Sequence, residues 1–198
     1  MSYKKVNILE LANMLPEDCL KELLCSFACP LNSDIENFIR FKCLSFAKQK
    51  LSVSHLVFDE MENLLGFFTL ANKPCLIRND TVTSELSNTL KKKLDRFATQ
   101  STANGIIVPA YLIAQFGKNY AIEKSLRIDG KELMRLAFET LSAVQREIGG
   151  GVIFLECRDE QKLLEFYTSD EIRFREYGQR RALEDGEDIL YHQLLHVF

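Results

Sequence analysis

The chain of 198 residues has no tryptophan, only four prolines and nine glycines, and three histidines. So little glycine and proline excludes collagen-like, linker-rich and low-complexity architectures. Internal repeats are absent as well, which excludes solenoids and propellers. No apolar run approaches the ~20 residues that cross a bilayer. The opening MSYKKVNILELANMLPED is broken by acids and an Asn where a signal peptide would be apolar, so a cytoplasmic protein with no membrane partner is expected. A basic surplus is also missing. Lys and Arg number 25 against 28 Asp and Glu, a formal net charge of −3 with a pI near 5.7. Proteins that hold the nucleic-acid backbone usually carry a clear positive excess, so nucleic acid is not an expected partner. The one basic cluster, Lys91-Lys92-Lys93, reads as a solvated helix face.

Metal-ligand spacing is lacking too. Cys25 and Cys29 lie four apart, but no second Cys/His pair accompanies them, so no metal is expected. The six cysteines (Cys19, Cys25, Cys29, Cys43, Cys75 and Cys157) read as free thiols, most of them inside apolar stretches. His192 and His196 share one face of a terminal strand, with Leu190, Leu194 and Phe198. Neither they nor His55 has an acidic partner or a Ser elbow marked in the sequence, which makes them structural histidines.

What is present is an ordinary core: 46% apolar and 27% charged residues, enough for one domain over residues 1–198. Residues 7–28 carry apolar side chains at helical spacing around Pro16-Glu-Asp. Ser33-Asp-Ile-Glu36 reads as a capping box opening a helix to about Lys50. Strands at 54–59 and 64–71 flank a turn at Glu60-Met-Glu-Asn63. A helix over 83–97 follows, striped by Leu86, Leu90, Leu94 and Phe97. Next comes a strand over 106–116 in which Pro109 demands a bulge or an unpaired edge. The clearest helix spans 130–148, with Leu133, Leu136, Ala137, Leu141, Val144 and Ile148 as its stripe. Gly149-Gly150-Gly151 stops it as a cap and turn, not as a phosphate loop. A strand at 152–157, a short helix at 159–168 and strands near 172–178 and 188–197 complete an α/β order: a mixed central sheet of about 6–7 strands, with helices on both faces.

Chemistry gathers where the long strand feeds the strongest helix. Arg127 and Gly130 at a helix N-terminus suit a phosphate: amides and a partial positive charge face it, Gly130 admits close approach, and Arg127 adds a charge-assisted donor. A purely structural helix entry would look much the same.

This order of elements, with an Arg-x-x-Gly loop and a short helix carrying Phe166-Tyr167, resembles the GNAT N-acetyltransferase superfamily. The family loop is Gln/Arg-x-x-Gly-x-Gly/Ala, and the stretch that matches here is Arg127-Ile128-Asp129-Gly130-Lys131-Glu132. Glu132 departs from the small residue of that pattern. The resemblance implies acetyl-CoA as cosubstrate: its pyrophosphate on residues 127–132 and its pantetheine on the backbone of Phe116, Gly117 and Lys118. The family's Asn-x-x-Ala-x-x-Phe/Leu-Tyr meets Glu160 to Tyr167, keeping only the aromatic pair. The Gly-Phe that often follows becomes Arg173-Phe174.

It implies that Tyr167 is catalytic, its hydroxyl supplying a proton or hydrogen bond to the departing thiolate, whereas its plain alternative is a ring packed under the sheet. No general base is marked. Glu156, Asp59 and Glu60 are candidates, and a water chain can replace them. Residues 1–32 read as an N-terminal helical addition. Phe27-x-Cys29-Pro-Leu-Asn32-x-Asp34-Ile-Glu36 resembles a GNAT subgroup of Gram-positive bacteria and mobile elements.

Three activities follow: transfer of acetyl to the primary amine of an unidentified small molecule or protein; toxin-like acetylation of aminoacyl-tRNA; or a non-catalytic acyl-CoA-binding or interaction module. The apolar last strand leaves a homodimer open.

Overall fold

The computed structural model describes residues 2–78, 86–184 and 186–198 and divides into two units, Met1–Ala71 with Ile113–Thr140, and Asn72–Leu112 with Leu141–Phe198.

In the first unit, β1 (Lys4–Asn7) pairs antiparallel with β2 (Val53–Phe58), Val6 opposite Leu56. In turn β2 pairs antiparallel with β3 (Leu64–Arg78), Leu56 opposite Phe67. The β2–β3 turn closes on Asp59, whose Oδ1 accepts from the amides of Met61 and Asn63 at 2.9 and 2.8 Å. The predicted helical stretch 7–28 begins at the end of β1 and forms two helices, because Pro16 cannot continue the first one. Helix α1 (Ile8–Met14) is capped by Asn7, and α2 (Glu17–Cys25) restarts with Glu17 and Asp18 in its first turn. Val6, Ile8, Leu20, Leu24 and Phe27 are buried with Leu56 and Phe67, so residues 4–27 furnish core instead of hanging from it. Phe27 and Phe67 meet edge to face at 5.2 Å.

The expected capping box is shifted by one residue. Asn32 is the cap of α3 (Ser33–Asn37), accepting from the amides of Asp34 and Ile35 at 2.9 and 3.2 Å. Glu36 reaches back to the amide of Cys29 at 2.7 Å. A π turn (Phe38–Lys42) then leads into α4 (Cys43–Lys48) and aims Phe38 and Ile39 into the core.

The chain enters the second unit along β3 and leaves it along β5 (Gly105–Lys118), and β5 pairs with β3. Here α5 (Asn88–Phe97) starts at the Ser87 cap, so the predicted start at 83 lies outside the described residues. Leu86 and Leu94 are buried, and Lys91, Lys92 and Lys93 are exposed as expected of a solvated face. Strand β4 (Gln100–Thr102) pairs with Gly105, Ile106 and Ile107. Strand β6 (Val152–Arg158) pairs in parallel with Tyr111 and Leu112. Pro109 falls between these two partners and needs no bulge.

Beyond β6 come α7 (Gln161–Thr168), β7 (Arg175–Glu184) and β8 (Glu187–Val197). Strand β8 lies between β6 and β7 and is antiparallel to both. With β1 and β4, neither of which the sequence pattern marks, the strands among the described residues number eight. Helix α6 (Gly130–Ile148) buries Leu133, Leu136, Ala137 and Leu141, but Ile148 is 68% exposed. Gly149 and Gly150 follow at φ +77° and +101°, which is why this stop is written in glycine.

One buried amide organises the first unit. Asn119 accepts at Oδ1 from the amides of Ala28 and Ala121, both at 3.0 Å. Its Nδ2 donates to Leu64 O and its backbone amide to Leu65 O, each at 2.8 Å. Asn119→Ala would strand two amides and a carbonyl, and the unit should lose about 2–4 kcal/mol in urea unfolding. A loss below ~0.5 kcal/mol would contradict that role.

His55 lies against Phe68, ring centroids 5.2 Å apart, and burial with Lys5 nearby pushes its pKa down to about 4. A folded pKa below the unfolded one means protons bind the unfolded chain better. Stability is therefore complete above about pH 6.5 and falls toward pH 4, by up to about 3 kcal/mol. His55→Phe should flatten that part of the stability–pH curve.

Candidate functional site

The loop and helix start at 119–133 belong to the first unit. Arg127 donates from Nε to Ile122 O at 3.2 Å and from Nη2 to Tyr120 O at 2.8 Å, with its Cζ 4.9 Å from the Tyr120 ring centroid. It thus ties its own loop while Nη1 carries none of these bonds. Asp129 caps α6: its Oδ1 accepts from Lys131 N at 2.7 Å, and Leu133 N donates to its carbonyl at 3.0 Å. Ile128 is buried at 2% exposure as an anchor, and Gly130 opens the helix. Glu132 pairs with Arg135, Oε2 to Nη2 at 3.1 Å, one turn along the exposed face. The carboxylate that breaks the family pattern is thereby partly neutralised. A phosphate at this helix start would meet the first-turn amides and Nη1 of Arg127, but would share Lys131 N with Asp129.

Phe116, Gly117 and Lys118 close β5. Asn119 N–H donates to Leu65 O, so by strand alternation the amide of Gly117 also faces β3, while those of Phe116 and Lys118 face the other edge. A side chain on Gly117 would meet Ile35 Cγ2 at 2.7 Å, and one on Gly66 would meet Gly117 O at 2.8 Å. Gly117 is thus held by packing, and Phe116 and Lys118 are the two whose backbone could pair with a ligand.

Tyr167 lies in the second unit, at the end of α7, 8% exposed. Its ring meets Phe166 at 5.0 Å and Phe174 at 6.0 Å, both edge to face, and its carbonyl accepts from Phe174 N at 3.0 Å. Burial raises its pKa well above the usual phenol, with Cys157 as the second cause. The hydroxyl therefore keeps its proton at neutral pH. The ring is packed, as the plain reading has it, and that packing fixes where the hydroxyl is. Arg173, where the family often has Gly, adopts φ +63°. The family glycine and this left-handed turn answer the same backbone demand.

None of the three candidate bases is idle in the same way. Asp59 is the hinge of its turn, its pKa lowered first by the Asn63 side chain. Glu60 is exposed on that turn. Glu156 holds Arg180 Nε at 2.7 Å and Gln193 Nε2 at 2.8 Å.

His192 corrects the sequence reading. It has two acidic partners, Asp159 at Nε2 (3.0 Å) and Glu176 at Nδ1 (3.1 Å), brought to it by the β6–α7 junction and by β7. Neither is near it in sequence, so no spacing rule could find them. The sequence also passed over Asn119, for which the available signal was a turn-forming residue closing an apolar run. Cysteines divide as well: Cys29, Cys43, Cys75 and Cys157 are buried thiols, but Cys19 and Cys25 are exposed. Among the described residues no group of His, Cys, Asp and Glu has the arrangement to hold a metal.

No family model matches the chain, and no curated protein matches it in sequence. Its likeness to solved structures is one of shape: the chain has the fold of the GNAT acetyltransferases, an α/β fold on a mixed sheet. Similar structures include a tyrosine-to-phenylalanine variant of KacT, with TM-score 0.61 and 14% identity over 98% of this chain and 95% of that one. AtaT complexed with acetyl-methionyl-tRNAfMet gives 0.59 and 15% over 96% and 94%. An AtaT tyrosine-to-phenylalanine variant toxin, bound to the C-terminus of the antitoxin AtaR and acetyl-CoA, gives 0.56 and 14% over 88% and 84%.

Arg173→Gly should stabilise the protein by about 0.5–1 kcal/mol in thermal or urea unfolding, through relief of the left-handed backbone. A destabilisation would mean that the bond from Arg173 Nε to Asp170 O, 2.6 Å, outweighs the strain.

Proposed function

We propose that the protein is a GNAT-type N-acetyltransferase that moves the acetyl group of acetyl-CoA onto a primary amine, by direct attack of the amine on the thioester. The observation that carries this reading is the fold, matched over 88% and 96% of the chain by two AtaT structures bound to acetyl-CoA. In this reading the backbone edge of Phe116 and Lys118 and the 127–132 segment hold the cosubstrate. Arg127 contributes its uncommitted nitrogen, and Glu132 stays with Arg135. The cosubstrate supplies an activated acyl group with a thiolate as leaving group.

Tyr167 acts on that thiolate. Its raised pKa makes full proton transfer to sulfur costly, so it stabilises the developing charge as a hydrogen-bond donor held by Phe166 and Phe174. Two of the similar structures are tyrosine-to-phenylalanine variants, which accords with a tyrosine being the residue of interest in that group. We place the enzyme in the bacterial cytoplasm, within the Gram-positive and mobile-element subgroup that residues 27–36 resemble, and as one domain over residues 1–198.

A second reading is favoured by one specific observation. The AtaT structure complexed with acetyl-methionyl-tRNAfMet suggests that the amine here is that of an aminoacyl-tRNA. The net charge of −3 then confines the tRNA to local basic patches.

Calorimetry with acetyl-CoA tests the proposal. The wild type should bind at micromolar concentrations, and Arg127→Ala should weaken binding by about tenfold, the loss of a charge-assisted contact. Tyr167→Phe should bind equally well and transfer acetyl about 10–100-fold more slowly. Absence of binding at millimolar acetyl-CoA would overturn the reading and leave a GNAT-shaped interaction module.

A further inference from the structure

A cavity of about 490 Å³, the size of a small-molecule site, lies in the second unit between the end of β3 and strands β6, β7 and β8. Cys75 Sγ joins its two sides by donating to the Tyr177 hydroxyl at 3.3 Å. Tyr177 is 2% exposed and owes its direction to a break in the ladder. Glu176 stands opposite Leu194 and Gly178 opposite Gln193, so the register passes over Tyr177. A residue left out of the pairing in this way is re-aimed from the regular alternation. Its oxygen accepts from Cys75, while its own proton has no acceptor among the described residues. Burial first, and Cys75 second, hold its pKa far above the ordinary phenol, so that proton is present at neutral pH. A buried O–H with nothing to donate to is costly, and a ligand oxygen would relieve the cost.

The charge around this hydroxyl has a positive excess. Arg180 commits Nε and Nη2 to Glu156 Oε2, at 2.7 and 2.5 Å, and Gln193 Nε2 takes Glu156 Oε1 at 2.8 Å. Both oxygens of the carboxylate that lines the cavity are therefore engaged. Nη1 of Arg180 and the whole guanidinium of the exposed Arg78 have no acceptor among the described residues. Two guanidinium groups against one carboxylate leave a single positive charge. Pro74, Leu76 and Phe154 make the remaining wall hydrocarbon.

Unspent donors and one net positive charge, set beside an apolar wall, fit a singly charged oxyanion on a hydrocarbon body. We propose that this cavity is a binding site for an apolar monocarboxylate, with Arg78, Arg180 Nη1 and the Tyr177 hydroxyl donating to its oxygens and Leu76 and Phe154 covering its hydrocarbon. A second negative charge would face Glu156, and an ammonium group would face two guanidinium groups. Side-chain alternation along β6 turns Glu156 to the face away from Cys157, which neighbours Tyr167. The site is thus separate from the residue assigned to the leaving thiolate, and it does not rest on the acetyltransferase reading.

The test is calorimetry on the full chain, with isocaproate as probe and isocaproamide, leucinamide and isoamyl phosphate as comparisons. Isocaproate should bind in the millimolar range, and the neutral amide, the cation and the dianion at least about tenfold weaker. Arg78→Gln, at an exposed position, should weaken isocaproate about tenfold and erase the preference for it over isocaproamide. Tyr177→Phe, which keeps the ring, should also weaken isocaproate about tenfold. Absence of isocaproate binding, isocaproamide or isoamyl phosphate binding as tightly, or unchanged affinity in Arg78→Gln would overturn the proposal.

Acetyl-CoA is itself an anion, so a second titration separates the two sites. Isocaproate should bind equally well to protein saturated with acetyl-CoA. Displacement of isocaproate by acetyl-CoA would mean that the cavity belongs to the cosubstrate, and the proposal would fall while the acetyltransferase reading stands. If isocaproate binds as described and acetyl-CoA does not bind at all, the carboxylate site stands and the acetyltransferase reading falls.

Discussion

The first unit depends on the burial of one amide. Asn119 sits at the end of β5, where the sheet ends and backbone groups would otherwise be left without partners. Its side chain satisfies amides on two sides and a carbonyl on β3, so strand end, N-terminal segment and following loop share one anchor. The same segment is held from its other side. Arg40 donates twice to Phe27 O, at 2.9 and 2.6 Å, and Glu36 joins Arg40 to the amide of Cys29. Such a network tolerates little movement, because each lost bond leaves a buried polar group unpaired. The loop that leads to α6 starts from this anchor and is closed by Arg127 on the carbonyls of Tyr120 and Ile122.

This changes the meaning of Arg127. In the sequence an Arg three residues before a helix-opening Gly reads as a phosphate ligand, because charge and position are all that a linear pattern contains. In three dimensions the guanidinium has a structural task as well, and its five donors allow both. Glu132 shows the reverse case. Against the motif it looks like a defect at an anion site, yet Arg135, one turn away on the same helix and shared with Glu139, offsets part of the charge. An i, i+3 partner is legible from sequence once the helix is known; the ties of Arg127 are not, because they depend on how residues 119–127 turn.

The elements were legible in proportion to how local their causes are. Helix α6 and the glycine stop after it follow from periodicity and from φ values that few other residues adopt. Strands β5, β6 and β8 follow from apolar runs. Strand β1 did not, since KKVN is four residues with one apolar side chain and becomes a strand only because β2 offers it an edge. The capping box at 33–36 was misplaced by one residue because Ser33 and Asn32 both suit a cap, and Glu36 had a better partner in Cys29 N than in the cap itself.

The same reasoning governs the polar residues of the second unit. His192 was read as a lone structural histidine, and in the fold both of its ring nitrogens meet carboxylates, Asp159 and Glu176, separated from it by 33 and 16 residues. Glu176 in turn orients Gln179, and Glu156 orients Gln193. Two carboxylates thus fix two amides by their donor ends. A cavity lined by amides is ordinarily ambiguous, because either end of each can face a ligand. Here the neighbouring carboxylates settle which end of each amide is the nitrogen. Changing Glu176 would therefore release Gln179 from its orientation and take one of the two carboxylates from His192.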